Sequence, residues 1–445
     1  MKTPIADFVK GYNASAPLRL HMPGHKGKKL LGAEELDITE IDGADSLFEA
    51  QGIIRESEKN ASGLFGCRTF YSAEGSSQCI RSMLYLAHIH ANENGLSHVI
   101  VAARNVHKTF LSGAALLGFD IEWIYPNEDD TYLSCTVTAE KIGEVLANMA
   151  VKPAAVYLTS PDYLGNIADV SAVAKVCRDN GVLLLVDNAH GAYLKFLEKS
   201  LHPIDLGAHM CSDSAHKTFP ALTGGAYLHI SEDLSEIDDR HVKNALSMFS
   251  STSPSYLILQ SLDMVNAYLA TGYKEKLSGF IPKVEALKKR MKAYGYVLSG
   301  HEPLKITVNA KSYGYRGTEL SGMLLSRNIV CEFADPDFLV LMLTPEIGEK
   351  GFKKLESALL SVPRKSKICG VTPKYHSCKK IKSIREAMLS PGKTVKTEDS
   401  IGRILASPSV GCPPAVPIVV CGELIDEAAV EIFKYYGIEY CDVIK

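Results

Sequence analysis

The 445-residue sequence has no long run of apolar residues, no C-x-x-C pair and no arm of like charge. A membrane-spanning helix needs about 20 apolar residues, and no stretch approaches that length. The N-terminal segment lacks the apolar centre of a signal peptide. The 48 basic and 51 acidic residues nearly cancel, so the charge pattern predicts neither a nucleic-acid nor an anionic-lipid partner. We therefore expect a cytoplasmic protein that binds a small molecule.

The cysteine positions do not indicate a disulfide framework. The eleven of them are scattered, and several lie within apolar runs, where free thiols pack as small hydrophobic groups. This arrangement indicates a reducing compartment and no zinc ribbon. His21 and His25 have no further ligands at zinc spacing, so we predict no metal site.

The length exceeds that of one ordinary core and predicts two or three units. From about residue 60, a short aliphatic run, a glycine-bearing corner and a helical pattern recur, which is typical of an α/β fold with a mostly parallel sheet. The strands predicted for this sheet are 98–103, 154–159, 182–187, 209–214 and 225–230. Between the second and third of these strands we predict a crossover helix that stops at Gly181.

Changes of composition predict the domain boundaries. Helical patterns and a second set of short apolar runs follow the sheet, and a Lys- and Pro-rich stretch then indicates a linker. The predicted segments are an N-terminal arm with an active-site loop (1–55), a large domain (56–270), a smaller α/β domain (271–362), the linker (363–380) and a C-terminal α/β domain (381–445).

A possible phosphate site lies upstream of the first predicted strand. Gly75, Ser76 and Ser77 open a helical pattern. A helix N-terminus offers unsatisfied N–H groups and a positive dipole end, which suit a phosphate. The alternative is a serine N-cap without a ligand.

Asp187 and Lys217 are the pair with the clearest chemical meaning. A carboxylate at the end of a buried strand is costly unless a cation or a hydrogen-bond donor meets it. Lys217 follows after one further predicted strand, so the two corners should lie close together. A structural salt bridge is one reading. A carboxylate and a lysine beside a phosphate-binding turn also fit pyridoxal phosphate, with a Schiff base on the lysine and the carboxylate on the pyridine nitrogen.

Five motifs occur in an order that carries a resemblance. They are H-x-P-G-H-K (His21 to Lys26), R-N-x-H-K (Arg104 to Lys108), D-x-A-H-G-A (Asp187 to Ala192), S-x-H-K (Ser214 to Lys217) and T-S-P-S-Y (Thr252 to Tyr256). With the tail stretch 413–423, they resemble the ornithine/lysine/arginine decarboxylases of the aspartate-aminotransferase fold. The resemblance runs from about residue 15 to the C-terminus and is to the short form without an N-terminal wing domain.

The resemblance implies roles for individual residues. Lys217 would be the Schiff-base lysine of pyridoxal 5'-phosphate, and Asp187 would contact the pyridine nitrogen. His107 would stack on the ring, and His190 would lie near the ring and the substrate carboxylate. Phosphate contacts would come from Gly75, Ser76, Ser77, Ser214 and His216, and from Ser251, Thr252 and Ser253 of a neighbouring chain. The implied assembly is a homodimer or a higher oligomer with the site at the subunit interface.

The implied fold is that of a pyridoxal-phosphate-dependent transferase, with a seven-stranded sheet in the large domain. The implied reaction is decarboxylation of lysine, ornithine or arginine to an amine of polyamine biosynthesis. His25 would line the site, and Asp45 or Glu423 could pair with the distal cation of the substrate. For Asp45, a capping role in a loop is an equal alternative.

Two other functions remain open at this point. An aminotransferase or Cα lyase could share the fold, although residues 337–348 lack the arginine that aminotransferases of this fold usually use to clamp the substrate carboxylate. A protein that binds pyridoxal phosphate without decarboxylase turnover is the other alternative. It would account for the departures from the family pattern at Asn188, Tyr193, Ala415 and Cys421.

Overall fold

The computed structural model describes residues 1–126, 131–132, 135–370, 372–411 and 416–445. Its helices are α1 (Pro4–Ala14), α2 (Ile53–Phe65), α3 (Ser76–Asn94), α4 (Lys108–Leu117), α5 (Ala139–Asn148), α6 (Val170–Asn180), α7 (Ala215–Thr218), α8 (Asp239–Ser247), α9 (Tyr256–Ala270), α10 (Tyr273–Tyr294), α11 (Gly317–Leu325), α12 (Gly348–Leu360), α13 (Ile384–Met388) and α14 (Glu427–Tyr435).

The strands alternate with these helices. They are β1 (Arg68–Ser72), β2 (Ser97–Ala103), β3 (Asp120–Ile124), β4 (Pro153–Thr159), β5 (Leu183–Asp187), β6 (Met210–Asp213), β7 (Ala226–Ile230), β8 (Val297–Ser299), β9 (Lys305–Asn309), β10 (Phe333–Ala334), β11 (Phe338–Met342), β12 (Gly392–Lys396), β13 (Ser409–Gly411), β14 (Pro417–Val420) and β15 (Tyr440–Ile444).

The first of two compact units comprises Met1–His98, Met149–Leu158 and Val170–Glu275. Its strands follow the order β1-β7-β6-β5-β4. β5 and β6 are parallel, whereas β7 runs antiparallel to both β6 and β1. Every residue of β5 is buried, as expected for a parallel strand covered on both faces.

The crossover helix of this unit is confirmed as α6. Its buried positions are Val170, Val173, Ala174 and Cys177, which recur at helical spacing and so face the core. Gly181 follows with φ of 63°, a left-handed conformation that glycine adopts without a steric penalty. The predicted stop of the helix therefore has its expected physical cause.

The second unit comprises Val99–Asn148, Thr159–Asp169 and Lys276–Lys445. β2 and β3 pair in parallel, and β10-β11-β9-β8 form a separate antiparallel sheet. A hydrophobic core in this unit gathers residues from β14, α14 and β15, among them Ile418, Phe433 and Val443. Small α/β substructures are thus present after the large sheet, as predicted.

The α/β class and all five predicted strands are confirmed. Each predicted strand matches β2, β4, β5, β6 or β7 to within about two residues, the ordinary uncertainty of strand ends. The seven strands β1 to β7 divide five and two between the units. Because both units consist of discontinuous segments, the predicted domain boundaries stay predictions.

Two further observations bear on the class of protein. All ten described cysteines are free. No helix in the described part of the chain combines the length and apolarity needed to span a bilayer.

Gly317 is a position in the second unit that requires glycine. A Cβ there would overlap the carbonyl oxygen of Phe338 and approach that of Asp335 to 2.6 Å. We expect Gly317→Ala to lower the free energy of unfolding by about 1–3 kcal/mol, because α11 must move away from β11. Gly322→Ala on the same helix is the matched control. Its Cβ meets nothing within 4 Å, so it should raise stability by about 0.5–1 kcal/mol. Urea unfolding measures both, and equal effects would contradict the prediction.

Candidate functional site

Lys217 lies on α7, the short helix that follows β6. Its Nζ is 3.1 Å from Nε2 of His190. His190 is in the turn after β5, three residues beyond Asp187. The structure therefore brings together the two corners of the first unit that the sequence predicted to meet.

Asp187 is the last residue of β5, and its side chain is buried. Oδ1 accepts a hydrogen bond from the backbone N–H of Ala189 at 3.1 Å, and Oδ2 accepts one from the Tyr157 hydroxyl at 3.3 Å. Burial and the adjacent Asp187 charge raise the pKa of Tyr157 well above its usual value, so this phenol remains a donor. These contacts orient the carboxylate on the turn that leads to His190.

Three chain segments meet at the N-terminus of α3. Ser76 Oγ lies 2.7 Å from Ser214 Oγ, and His216 Nδ1 lies 2.9 Å from the carbonyl oxygen of Gly225. Gly75 precedes the helix with φ of 73°, and a Cβ on it would lie 4.0 Å from the His216 ring. Paired hydroxyls at the positive end of a 19-residue helix suit an anion.

The remaining predicted phosphate residues lie at exposed or half-buried positions. Ser77 is half-buried on the first turn of α3, and Ser251, Thr252 and Ser253 are exposed. The backbone N–H of Ser251 donates to Glu74 Oε1 at 2.6 Å, which places this loop beside the start of α3. Their contact with the phosphate of a neighbouring chain stays a prediction.

These residues of the first unit fit pyridoxal phosphate. The cofactor needs an amine, a carboxylate for its ring nitrogen and a phosphate site. Lys217, Asp187 and the N-terminus of α3 offer these groups, and the Lys217–His190 contact ties the amine to the turn that bears the carboxylate.

His107 lies in the second unit, where it is the N-cap residue of α4. Its ring nitrogen Nδ1 accepts a hydrogen bond from the backbone N–H of Thr109 at 3.2 Å, and the residue is exposed. The ring is thus held by an N-cap contact, a role the sequence analysis did not foresee for it. Stacking of His107 on a cofactor ring stays a prediction.

Arg104 and Glu423 form a buried ion pair in the second unit. The two guanidinium Nη atoms donate to the two carboxylate oxygens at 2.8 and 2.6 Å. The guanidinium also faces the Trp123 ring at 5.0 Å. Although burial opposes its charge, Glu423 raises the pKa of Arg104 further above its normal value. Both carboxylate oxygens of Glu423 are thus engaged within the chain, and its pairing with a substrate cation stays a prediction.

Asp45 and His25 also have local partners. Asp45 accepts hydrogen bonds from the backbone N–H groups of Gln51, Gly52 and Ile54 at 2.8–3.0 Å, which places its charge at the start of α2. These contacts favour the capping alternative, because the carboxylate is already satisfied. His25 Nε2 lies 3.3 Å from an oxygen of Asp37, and its role in lining the site stays a prediction.

The structure describes three of the four positions at which the sequence departs from the family pattern. Asn188, Tyr193 and Cys421 are buried, whereas Ala415 lies outside the described residues. Sequence reasoning missed Asp213, which is fully buried at the end of β6. The available signal was a carboxylate within a predicted strand of the main sheet, four residues before Lys217, since a buried charge requires partners.

Fold and site define an α/β enzyme. A lysine at the end of one strand contacts the turn that follows the neighbouring strand, and the N-terminus of α3 in the same unit suits an anion. Residues 3–351 match the family described as "Orn/Lys/Arg decarboxylase, major domain". The chain belongs to this family.

Individual relatives agree with that assignment. The chain is 28% identical to an arginine decarboxylase of Halalkalibacterium halodurans, over 96% of this chain and 92% of that protein. It is 26% identical to an arginine decarboxylase of Bacillus subtilis, over 97% and 93%. The solved structure of a Francisella novicida lysine decarboxylase covers all of this chain with a TM-score of 0.78 at 16% identity, over 81% of that protein, and so shows the same fold.

The contribution of the buried Arg104–Glu423 ion pair to the stability of the second unit can be tested by mutation. Glu423→Gln should lower the free energy of unfolding by about 3–5 kcal/mol, because it leaves a buried guanidinium without its counter-charge. The exposed Lys380–Asp120 pair, at 3.4 Å, is the matched control. Asp120→Asn should change stability by less than about 1 kcal/mol. Denaturant unfolding followed by circular dichroism measures both, and a loss below about 1 kcal/mol for Glu423→Gln would contradict the assignment.

Proposed function

We propose that this chain decarboxylates a basic amino acid, with arginine as the first candidate, using pyridoxal phosphate bound in its first unit. The observation that carries the proposal is the contact between Lys217 Nζ and His190 Nε2, at the end of the turn that Asp187 begins, in a member of this decarboxylase family. Arginine is favoured because curated relatives of nearly the same length are arginine decarboxylases.

The residues of the site would divide the work as follows. When bound, pyridoxal phosphate supplies a sink for the electrons of the Cα–carboxylate bond. Lys217 would hold the cofactor through its amine, and the N-terminus of α3 with Ser76 and Ser214 would hold the phosphate. Asp187 would stabilise positive charge on the ring nitrogen, a fixed electrostatic contribution from a buried and oriented carboxylate.

His190 would accept a proton from the amine of Lys217 and return it. A lysine must lose a proton before it can act as a nucleophile. His190 Nε2, at 3.1 Å, is within the distance over which a general base takes a proton. An imidazole nitrogen can accept that proton and return it.

The alternatives receive less support. An aminotransferase would need an arginine for the substrate carboxylate, and β11 with the residues up to 348 contains none. A binding protein without turnover would be favoured by loss of the lysine, the aspartate or the histidine, yet Lys217, Asp187 and His190 are all present, and Lys217 contacts His190. The proposal includes a homodimer, for which the exposure of Ser251, Thr252 and Ser253 is the supporting observation.

The direct test supplies arginine, ornithine and lysine separately to the purified protein with pyridoxal phosphate. We expect trapped carbon dioxide and the corresponding amine, with the highest kcat/KM for arginine. Lys217→Ala should abolish turnover, and borohydride treatment of the wild type should leave a pyridoxyl group on Lys217 by peptide mass mapping. A keto acid without carbon dioxide would favour the aminotransferase. A labelled lysine without product from any substrate would favour the binding protein.

Asp187→Asn isolates the electrostatic contribution of the carboxylate. The amide is nearly isosteric but carries no charge, so we expect kcat to fall by about 100-fold or more. A smaller change in KM should accompany this fall, because the lost interaction acts mainly in the transition state. Asp205→Asn, which removes a partly exposed carboxylate paired with Lys195, should retain kcat. Equal activity of the two variants would contradict the role of Asp187.

A further inference from the structure

A buried polar cluster adjoins the Lys217 corner in sequence but has no part in the site described above. Asp213 ends β6, four residues before Lys217, and its carboxylate is fully buried. Oδ2 lies 3.0 Å from Nε2 of His202 and 3.2 Å from Nε2 of His229, and both imidazoles are fully buried. Oδ1 accepts a hydrogen bond from Nδ2 of Asn188 at 2.7 Å. The two oxygens thus have different partners.

Hydrogen bonds orient both imidazoles toward the carboxylate. His229 Nδ1 lies 2.9 Å from the Thr69 hydroxyl, so both ring nitrogens of His229 have partners. His202 Nδ1 is buried without a hydrogen-bond partner in the described part of the chain, so Nε2 is the nitrogen through which this ring contacts Asp213. A buried carboxylate requires close partners of this kind.

The pKa directions show how the buried carboxylate stays charged. Burial opposes the charge of Asp213, but the two imidazoles hold the pKa of its carboxyl far below the usual range. Burial likewise opposes the charge of His229, while Asp213 raises the pKa of that imidazole. The carboxylate is ionised at neutral pH and accepts from the two imidazoles, from Asn188 and, at 3.5 Å, from the Cys211 thiol.

Asn188 connects this carboxylate to the site. It directly follows Asp187, and its backbone N–H donates to the carbonyl oxygen of Ser212 at 3.0 Å. Its own carbonyl accepts from Gly191 at 2.8 Å, which closes the turn that carries His190. A side chain fixed at Asn188 therefore constrains the residues on both sides of it.

We propose that Asp213 is a positioning residue for the cofactor site: through Asn188 it fixes the turn Asp187–His190 relative to the corner that carries Lys217. The proposal rests on the proposed function, since it assigns that turn and Lys217 to the cofactor. The contacts described for Asp213 include neither Lys217 nor Asp187. Its influence on the site therefore passes through the side-chain amide of Asn188.

An exchange of the two residues tests the link. In Asn188→Asp, two carboxylate oxygens face each other, so this single variant loses the hydrogen bond. In Asp213→Asn, the Oδ2 position remains an oxygen because both histidines donate to it, and the new amide nitrogen faces Asn188. The Asn188 amide can rotate to meet that nitrogen with Oδ1, which has no other partner in the described part of the chain, so this variant keeps the bond. The double variant Asn188→Asp/Asp213→Asn again pairs one donor with one acceptor.

Affinity for pyridoxal phosphate, measured by fluorescence titration, is the principal readout, with kcat and the thermal midpoint of the cofactor-free protein measured in parallel. We expect Asn188→Asp to weaken cofactor binding about tenfold or more, Asp213→Asn alone to weaken it less, and the double variant to recover most of the loss in Asn188→Asp. Ser57→Ala is the matched control in the same unit. It removes a buried hydrogen bond to Asp263, 2.5 Å long, and should lower the midpoint without altering cofactor affinity.

Several results would overturn the proposal. An Asn188→Asp variant that loses only thermal stability, like Ser57→Ala, would assign Asp213 a structural role. A double variant no better than Asn188→Asp would break the link through Asn188. One tightly bound metal ion per chain, lost in Asp213→Asn, would show that the imidazoles and carboxylate serve a metal instead. If Asp213→Asn does not fold, Asn188→Ala tests the same link with the histidine pairs intact, and unchanged cofactor affinity would then refute it.

Failure of the proposed function can be distinguished from failure of this proposal. If the wild-type protein gives no carbon dioxide from any basic amino acid, the proposed function is wrong, but cofactor affinity across the variants still decides the role of Asp213. A wild-type protein that does not bind pyridoxal phosphate would overturn both.

Discussion

The parallel pairing of β5 with β6 is the constraint on which the site depends. The register places Asp187 opposite Ser212, and the backbone hydrogen bond from Asn188 to Ser212 extends the pairing one residue beyond the strand. Both chains then leave the sheet at the same edge. Lys217 and His190 can meet at 3.1 Å only because that edge is shared, so a slip of register would separate the amine from the turn.

Buried charges in this chain occur with partners, and this explains several of its unusual residues. Arg104 with Glu423 in one unit, and Lys243 with Glu58 in the other, are pairs with almost no exposed surface. Removal of charge from water is costly and is offset only by close, well-directed partners. A titratable residue at a strand corner can therefore be structural or functional, and its type alone does not distinguish the two.

Sequence reasoning was strongest where a local pattern has one physical meaning. Five aliphatic residues before Asp187 predict a buried strand, and the spacing from Val170 to Cys177 predicts a helix with one buried face. It was weaker for Glu423, because the partner of that carboxylate is 319 residues away in the chain. It missed the capping of α4 by the ring of His107. That contact joins two residues only two positions apart and leaves no periodic pattern in the sequence.

The sequence by itself determined the α/β class, the strands of the main sheet and the chemical types at their ends, because periodicity and strand-end polarity are local properties of the chain. Only the tertiary structure decided which of those polar groups meet. Glu423 pairs with Arg104, and Asp213 contacts two histidines. Lys217 instead lies beside His190. The physical reason is that hydrogen bonds and ion pairs depend on distances of about 3 Å between atoms far apart in the chain, which sheet register and packing set.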